Sequence, residues 1–323
     1  MIELKDIQYV RSGSADAAEA VRFATEIVGM EYRGSEDGVH YLRADGRHHC
    51  LAFVEGTSGV LSSGLSLADS AALRAAEEEL TLAGITTRWG TPDEARSRHV
   101  REFLEFLDPW GNRFDLVVDA ETDAAPVEFS RRAGIVEFGH LCVDAPDPRE
   151  AFEWWSSLFN IKISDWIGNK AALMRFDPVH HKLAVFQGDR PGLCHINFQV
   201  ESIDDVMRSW HFLEKHEVEI EQGPGRHPQS TAIFIYFKGP EGLTYEYSYG
   251  VRRIEDDATW VPRYFDPELP NSIDMWGGPT QRASTQYQVE EEPTATDAST
   301  PAPTTASAGS PVPAAALPSL QGA

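Results

Sequence analysis

The stretches "EFLEFLDPWGNRFDL" (residues 102–116) and "IFIYFKGPEGLTYEY" (residues 233–247) are two versions of one pattern. In each, an apolar run meets a tight turn with Gly and Pro and then a second apolar run, which reads as a β-hairpin. The two copies lie 131 residues apart, and a second pair, "HHCLAF" (48–53) and "HHKLAVF" (180–186), recurs at an offset of 132. Two independent matches at nearly one spacing indicate an internal duplication, which governs every further reading of the fold.

The second copy shows what is duplicated. "IVEFGHLCV" alternates as a strand, "DPREAFEWWSSLF" starts a helix at Asp147 and Pro148, and "AALMRF" and "HKLAVFQ" read as strands. The unit then recurs. "CHINFQV" is a strand, "SIDDVMRSWHFLEKH" a helix capped by Ser202, and the segment 225–250, opened by His227 and turning at "GPEG", closes it as a hairpin. The expected fold class is α+β: four βαβββ units in two tandem domains, each a curved mixed sheet around a cavity. A polar break at 119–134 sets the domains at 1–122 and 134–280. The aromatic segment 258–278 is expected to pack on the second domain as an arm, and Trp154 and Trp155 to serve core and interface. Residues 281–323, rich in Pro, Ala, Ser and Thr, lack the apolar surface to offset ordering entropy and are expected to be disordered.

Composition excludes some functions. With 51 acidic against 28 basic residues the formal charge is −23, which opposes nucleic-acid or anionic-membrane partners. Three dispersed cysteines, Cys50, Cys142 and Cys194, suit neither a disulfide framework nor a zinc knuckle. There is no leader pattern and no apolar run of about 18 residues, so the expected location is cytoplasmic.

Of eleven histidines, His211 and His216 read as ordinary helix residues. His140 and His195 sit in apolar strands, where a lone histidine is usually a satisfied core residue. The duplication changes that balance. Opposite His140 the first half has Tyr9, opposite His195 it has Ser63 or Gly64, and opposite Glu246 it has Asp115. The scaffold tolerates other residues there, and only the second half combines two histidines with the glutamate. Two imidazoles and one carboxylate with open positions form the facial set of non-haem Fe(II) sites; Mn(II) and zinc also suit these ligand types.

The chain resembles the type I extradiol ring-cleavage dioxygenases of the vicinal oxygen chelate superfamily over residues 1–280. The signature stands here as His227, "PQSTAIF", Ile235, Tyr236, "FK", Gly239, Pro240, Glu241, Gly242, "LTY" and Glu246. Gly239 departs from the polar residue or Ala usual before the proline. The resemblance implies His140, His195 and Glu246 as ligands of Fe(II), with Mn(II) as the alternative ion. It implies His181 as pocket acid/base, with His227 and Tyr236 facing the substrate. His180 is expected on the opposite face of its strand, by alternation. The resemblance further implies an aromatic vicinal diol and O₂ as substrates and a homo-oligomer. Another metal-dependent isomerase or lyase of the superfamily, or a ligand-binding module, is the alternative.

Overall fold

A strand followed by a capped helix and further strands occurs four times along residues 1–278, the part of the chain that the computed structural model describes. The tail expected to be disordered lies outside the described residues. The first unit is β1 (Asp6–Ser14), α1 (Ala17–Arg22, continued by a π-turn at Phe23–Ile27), β2 (Glu31–Glu36), β3 (Val39–Arg43) and β4 (Leu51–Glu55). The second is β5 (Gly59–Ser66), α2 (Ser70–Leu82), β6 (Thr87–Trp89), β7 (Glu102–Leu107) and β8 (Arg113–Val118), with a short α3 (Pro92–Arg96) between β6 and β7. The third is β9 (Ile135–Ala145), α4 (Pro148–Leu158), β10 (Lys162–Ile167), β11 (Ala171–Arg175) and β12 (Leu183–Gln187). The fourth is β13 (Leu193–Val200), α5 (Ile203–Lys215), β14 (Ile220–Arg226), β15 (Ile233–Lys238) and β16 (Thr244–Tyr249), followed by a strand of the arm, β17 (Arg263–Phe265). The expected βαβββ units are present. The helices begin where the sequence places caps: Asp147 accepts from Arg149 and Glu150 N–H, and Ser202 from Asp205 N–H.

The units pair into two mixed sheets, ordered β2-β3-β4-β1-β5-β8-β7-β6 and β14-β15-β16-β13-β9-β12-β11-β10-β17. In each sheet the two opening strands pair antiparallel at the centre, β1 with β5 and β9 with β13. Each opening strand also pairs parallel with the last strand of its own unit. Central strands are covered on both faces, so β9 is apolar at most positions and its histidine is buried.

The halves are joined reciprocally. Trp155 of α4, fully buried, meets Phe114 and Phe106 of the β7–β8 hairpin at 4.9 and 6.1 Å between ring centroids. In the mirror arrangement Phe23, at the end of α1, meets Tyr245 and Phe237 of β16 and β15 at 5.7 and 6.4 Å. Trp154 contacts the same hairpin through Phe106 and Trp110, so both tryptophans take the roles expected of them. The hairpin turns dock reciprocally as well. Asn112 donates to Asp144 O (2.9 Å) and accepts from Gly192 N–H (2.8 Å). Glu241 Oε1 accepts from Ser14 Oγ (2.8 Å) and from the N–H groups of Ala15 (2.8 Å) and Asp16 (3.3 Å).

The departure at Gly239 has a physical cause. A Cβ there would lie 2.5 Å from Tyr245 Cε2, so the turn closes on the aromatic ring only with glycine. One boundary differs from the sequence reading. Gly225 and Arg226 end β14, and His227 lies in the turn between β14 and β15, because β14 pairs with β15 up to Arg226.

The Glu241 clamp joins the halves through three hydrogen bonds to one charged oxygen. Glu241→Ala should lower stability by about 1–2 kcal/mol, measured by urea unfolding. Glu241→Gln should recover part of the loss, because an amide oxygen still accepts. An unchanged midpoint for Glu241→Ala would show that the clamp contributes nothing.

Candidate metal centre

Adjacent strands bring the expected residues together. His140 is on β9, His195 on β13, Glu246 on β16 and Tyr236 on β15, and these strands lie side by side in the order β15-β16-β13-β9. Register supplies the rest: Asn197 of β13 pairs with both His140 and Glu246, and Tyr236 pairs with Glu246. His140 Nε2 lies 3.1 Å from His195 Nε2 and 3.1 Å from Glu246 Oε2, and His195 Nε2 lies 3.4 Å from the same oxygen. All three residues are at most 3% exposed.

The donor set fits a divalent ion. Three lone-pair atoms at these separations repel one another unless a proton or a cation lies among them. Ligands at about 2.1 Å from one ion and at right angles stand about 3 Å apart. Glu246 Oε2 is buried and makes no hydrogen bond of good geometry. Burial pushes the Glu246 carboxyl up, but His140 and His195 outweigh it and hold it well below the usual carboxylate range. Anionic oxygen and two imidazoles suit Fe(II), Mn(II) or Zn(II).

His181 stands beside this cluster, its ring 4.2 Å from that of His140. Burial, with His140 and His180 adding, pushes it well below the usual imidazole range, so it is neutral. The expectation for His180 is corrected. Both histidines precede β12 in irregular backbone, where strand alternation does not apply, and their Nδ1 atoms are 3.1 Å apart. His180 Nε2 lies 2.9 Å from Asp165 Oδ2, and Asp165 is also bound by the Arg263 side chain and by Arg263 N–H. A carboxylate accepts only, which fixes the tautomers in sequence. His180 Nε2–H donates to Asp165, His181 Nδ1–H donates to His180, and His181 Nε2 keeps its lone pair.

His227 and Tyr236 form a second pair. His227 Nδ1–H donates to Ile273 O (2.8 Å), its ring stacks on Phe234 at 3.8 Å, and its Nε2 lies 3.0 Å from Tyr236 OH and 3.8 Å from Glu246 Oε1. With Nδ1–H on the carbonyl, the Nε2 lone pair of this tautomer accepts from the Tyr236 hydroxyl. Sequence reasoning passes over two contributors. Cys142 Sγ lies 3.1 Å from His195 Nε2, and its place two residues after His140 on one strand face is a signal that alternation carries. Ile273 acts through a backbone carbonyl, which leaves no mark in the sequence.

The first half fills the equivalent slot differently. Asp115 Oδ2 accepts from Tyr9 OH (3.0 Å), Ser62 Oγ (2.8 Å) and Arg98 Nε (2.8 Å). A Cβ on Gly64 would lie 2.7 Å from Tyr9 Cζ, so the tyrosine ring takes the space a larger residue would need. Arg98 lies over Phe103 at 4.0 Å, as His227 lies over Phe234.

Comparison with known proteins agrees with the fold. The model of the Glyoxalase/Bleomycin resistance protein/Dioxygenase superfamily matches residues 7–116 and 137–247, and the chain belongs to this superfamily. It is 25% identical over 297 residues to an iron-dependent extradiol dioxygenase of Rhodococcus jostii (strain RHA1), covering 85% of this chain and 97% of the relative. To a biphenyl-2,3-diol 1,2-dioxygenase of Paraburkholderia xenovorans (strain LB400) it is 26% identical over 293 residues, covering 85% and 95%. The crystal structure of a halotolerant catechol dioxygenase superposes with a TM-score of 0.79 at 24% identity, covering 88% of this chain and 97% of the other.

The buried neutral histidines predict an acid-sensitive fold. In the first half burial, with His48 and His99, pushes His49 well below the usual range. Below about pH 6.5 the unfolded chain takes up a proton that the folded chain refuses, so stability is lost as pH falls. Each such histidine contributes a slope of about 1.4 kcal/mol per pH unit. Urea unfolding between pH 7 and 5.5 should show a shallower decline for His49→Gln than for the parent chain; equal slopes would refute the assignment.

Proposed function

We propose that the chain is an Fe(II)-dependent extradiol dioxygenase that cleaves the ring of a catechol-like substrate beside its two hydroxyls, using O₂, in aromatic-compound breakdown. The convergence of His140, His195 and Glu246 beside a neutral His181 carries this reading. Relatives 25% and 26% identical are named for iron and for manganese respectively, and we assign Fe(II) as the ion of facial sites that activate O₂. Iron(II) held by these three residues supplies the positive charge that acidifies a bound diol and the redox link between ring and O₂.

The chain's own groups do the rest. His181 Nε2, its lone pair kept by the Asp165–His180 chain, takes a substrate hydroxyl proton and returns it later, a task suited to imidazole. The imidazolium formed is stabilised through His180 by the Asp165 carboxylate. On substrate binding the Tyr236 hydroxyl turns its one proton from His227 Nε2 to the anionic edge of the substrate, with Ile273 O holding the His227 ring in place. Cys142, Ile167, Leu173 and Ala184 form an apolar wall, packed with Phe186 and Ile273, that suits an aromatic ring and excludes water.

The assignment includes a catalytic second domain, residues 134–280, and a first domain, 1–122, whose equivalent slot is closed by Arg98. It also includes a cytoplasmic homo-oligomer without nucleic-acid or membrane partners. Among the described residues no helix is long and apolar enough to cross a membrane.

Purification without air, iron analysis, and O₂ uptake with a panel of catechols test the proposal. Bound iron, O₂ consumption and a coloured ring-fission product are expected; absence of iron and of uptake across the panel would refute it. His195→Ala should lose the metal. His181→Ala should keep it and lose turnover by about 10²–10⁴-fold, and equal metal loss in both would overturn the division of roles.

A further inference from the structure

The slot of the first half that corresponds to the metal centre holds more positive charge than its own carboxylate matches. By the offsets of the duplication, Tyr9, Arg11, His49 and Asp115 stand where the second half has His140, Cys142, His181 and Glu246. Arg98 matches Asp115, donating Nε–H to Oδ2 at 2.8 Å. Arg11 is a second guanidinium beside the same carboxylate, and Asp115 is the one carboxylate among the groups whose charges act most on it. Burial and the charge of Arg98 outweigh that attraction and push Arg11 below its ordinary range. A guanidinium in a protein keeps its proton, so the charge stays and calls for an anion.

Arg11 presents a specific edge. The residue is 7% exposed, and among the described residues it makes a single hydrogen bond, from Nη1–H to Ser97 O at 2.9 Å. Tyr41 OH donates to the same carbonyl at 3.1 Å, so this end of the guanidinium is fixed. Nε–H and Nη2–H are left over, and they are the edge that grips a carboxylate through two parallel bonds. Neither atom is sealed in protein, in contrast to Nε of Arg43 and of Arg252. His49, within the field of Arg11, is buried, stacks on Tyr9 at 5.3 Å, and has an Nε2 without a hydrogen bond. In the second half Asp165 dictates the tautomers of the histidine pair, but in the first half Gly34 takes that position, pairing with Tyr41 as Asp165 pairs with Leu173. His48 Nδ1–H is then able to donate to His49 Nδ1, 3.1 Å away, which places the proton of His49 on Nε2.

We propose that the free edge of Arg11, with His49 beside it, is a binding site for a small carboxylate in the first domain, separate from the metal centre. The two carboxylate oxygens take Nε–H and Nη2–H of Arg11, and His49 Nε2–H is a further donor. The anion supplies the charge that Asp115, already held by Arg98, does not. A carboxylate is favoured over a halide because two parallel donors match two oxygens and not one sphere. The second half has no such site, since Cys142 stands in place of Arg11.

Titration of the full chain with sodium formate, against sodium chloride at equal ionic strength, tests the site by thermal shift and calorimetry. Formate should raise the Tm of the parent in a saturable way and chloride should not. Arg11→Met, which keeps the length of the side chain and removes the charge, should abolish the response. Arg11→Lys keeps the charge but presents a point in place of the edge, and should weaken formate binding about tenfold. It also serves as the test should Arg11→Met fail to fold. Formate bound at the metal centre would persist in both variants. A parent that responds alike to formate and chloride, a formate response kept by Arg11→Met, or undiminished formate affinity in Arg11→Lys would overturn the proposal.

Discussion

Strand β16 is gripped on one face and functional on the other, and this division depends on the seam between the halves. Tyr245 and Tyr247 point into the seam, Tyr245 against Phe23 and Tyr247 through its hydroxyl to Val28 O at 2.6 Å. Glu246, between them, is turned to the opposite face by the period of the strand. Neighbouring β15 repeats the arrangement, with Phe237 packed on Tyr245 and Tyr247 while Tyr236 faces His227. A one-residue slip would bury the carboxylate among aromatics and point the tyrosines at the centre. Two fully buried aromatic side chains at roughly 1.5–3 kcal/mol each oppose such a slip. The first half thus fixes the register of the strands that carry Glu246 and Tyr236.

Both halves bury a carboxylate at this same point of the sheet, Asp115 in one and Glu246 in the other. An isolated buried carboxylate is strongly disfavoured, so each needs a cation or a full set of donors. In the first half the cation is part of the chain: Arg98, with Tyr9 and Ser62, binds Asp115 through its Oδ2. In the second half the neighbours are the imidazoles of His140 and His195, a donor set that suits a divalent ion. The two copies differ at several positions of this one slot: Tyr9 stands where the second half has His140, and Arg98 where it has His227.

The duplication made the fold legible, because the hairpin and the His-His segment survive in both copies at spacings that differ by one residue. The difference between copies also singled out His140, His195 and Glu246, which the structure brings together and which no property of a single strand marks. The match between Arg98 and His227 stayed hidden for a physical reason. They are 129 residues apart while their stacking partners, Phe103 and Phe234, are 131 apart, so the loop lengths differ by two and simple offset pairs Arg98 with Gln229. Asp165 and Arg263 could not be linked to His181 from sequence, because their contact follows from a parallel pairing of β10 with β17 across about 100 residues.

That pairing gives the arm a role beyond coverage. Through Arg263 it holds Asp165, which sets the tautomer of His180 and so leaves His181 Nε2 unprotonated. Through Ile273 O it holds His227 Nδ1–H, which sets that ring to accept from Tyr236. One segment therefore fixes the protons on both histidine pairs that flank the His140–His195–Glu246 cluster. Both contacts remove alternatives: a rotated or tautomerised imidazole would place a proton where a lone pair is needed, and a short irregular arm anchored by one strand pair is enough to exclude it.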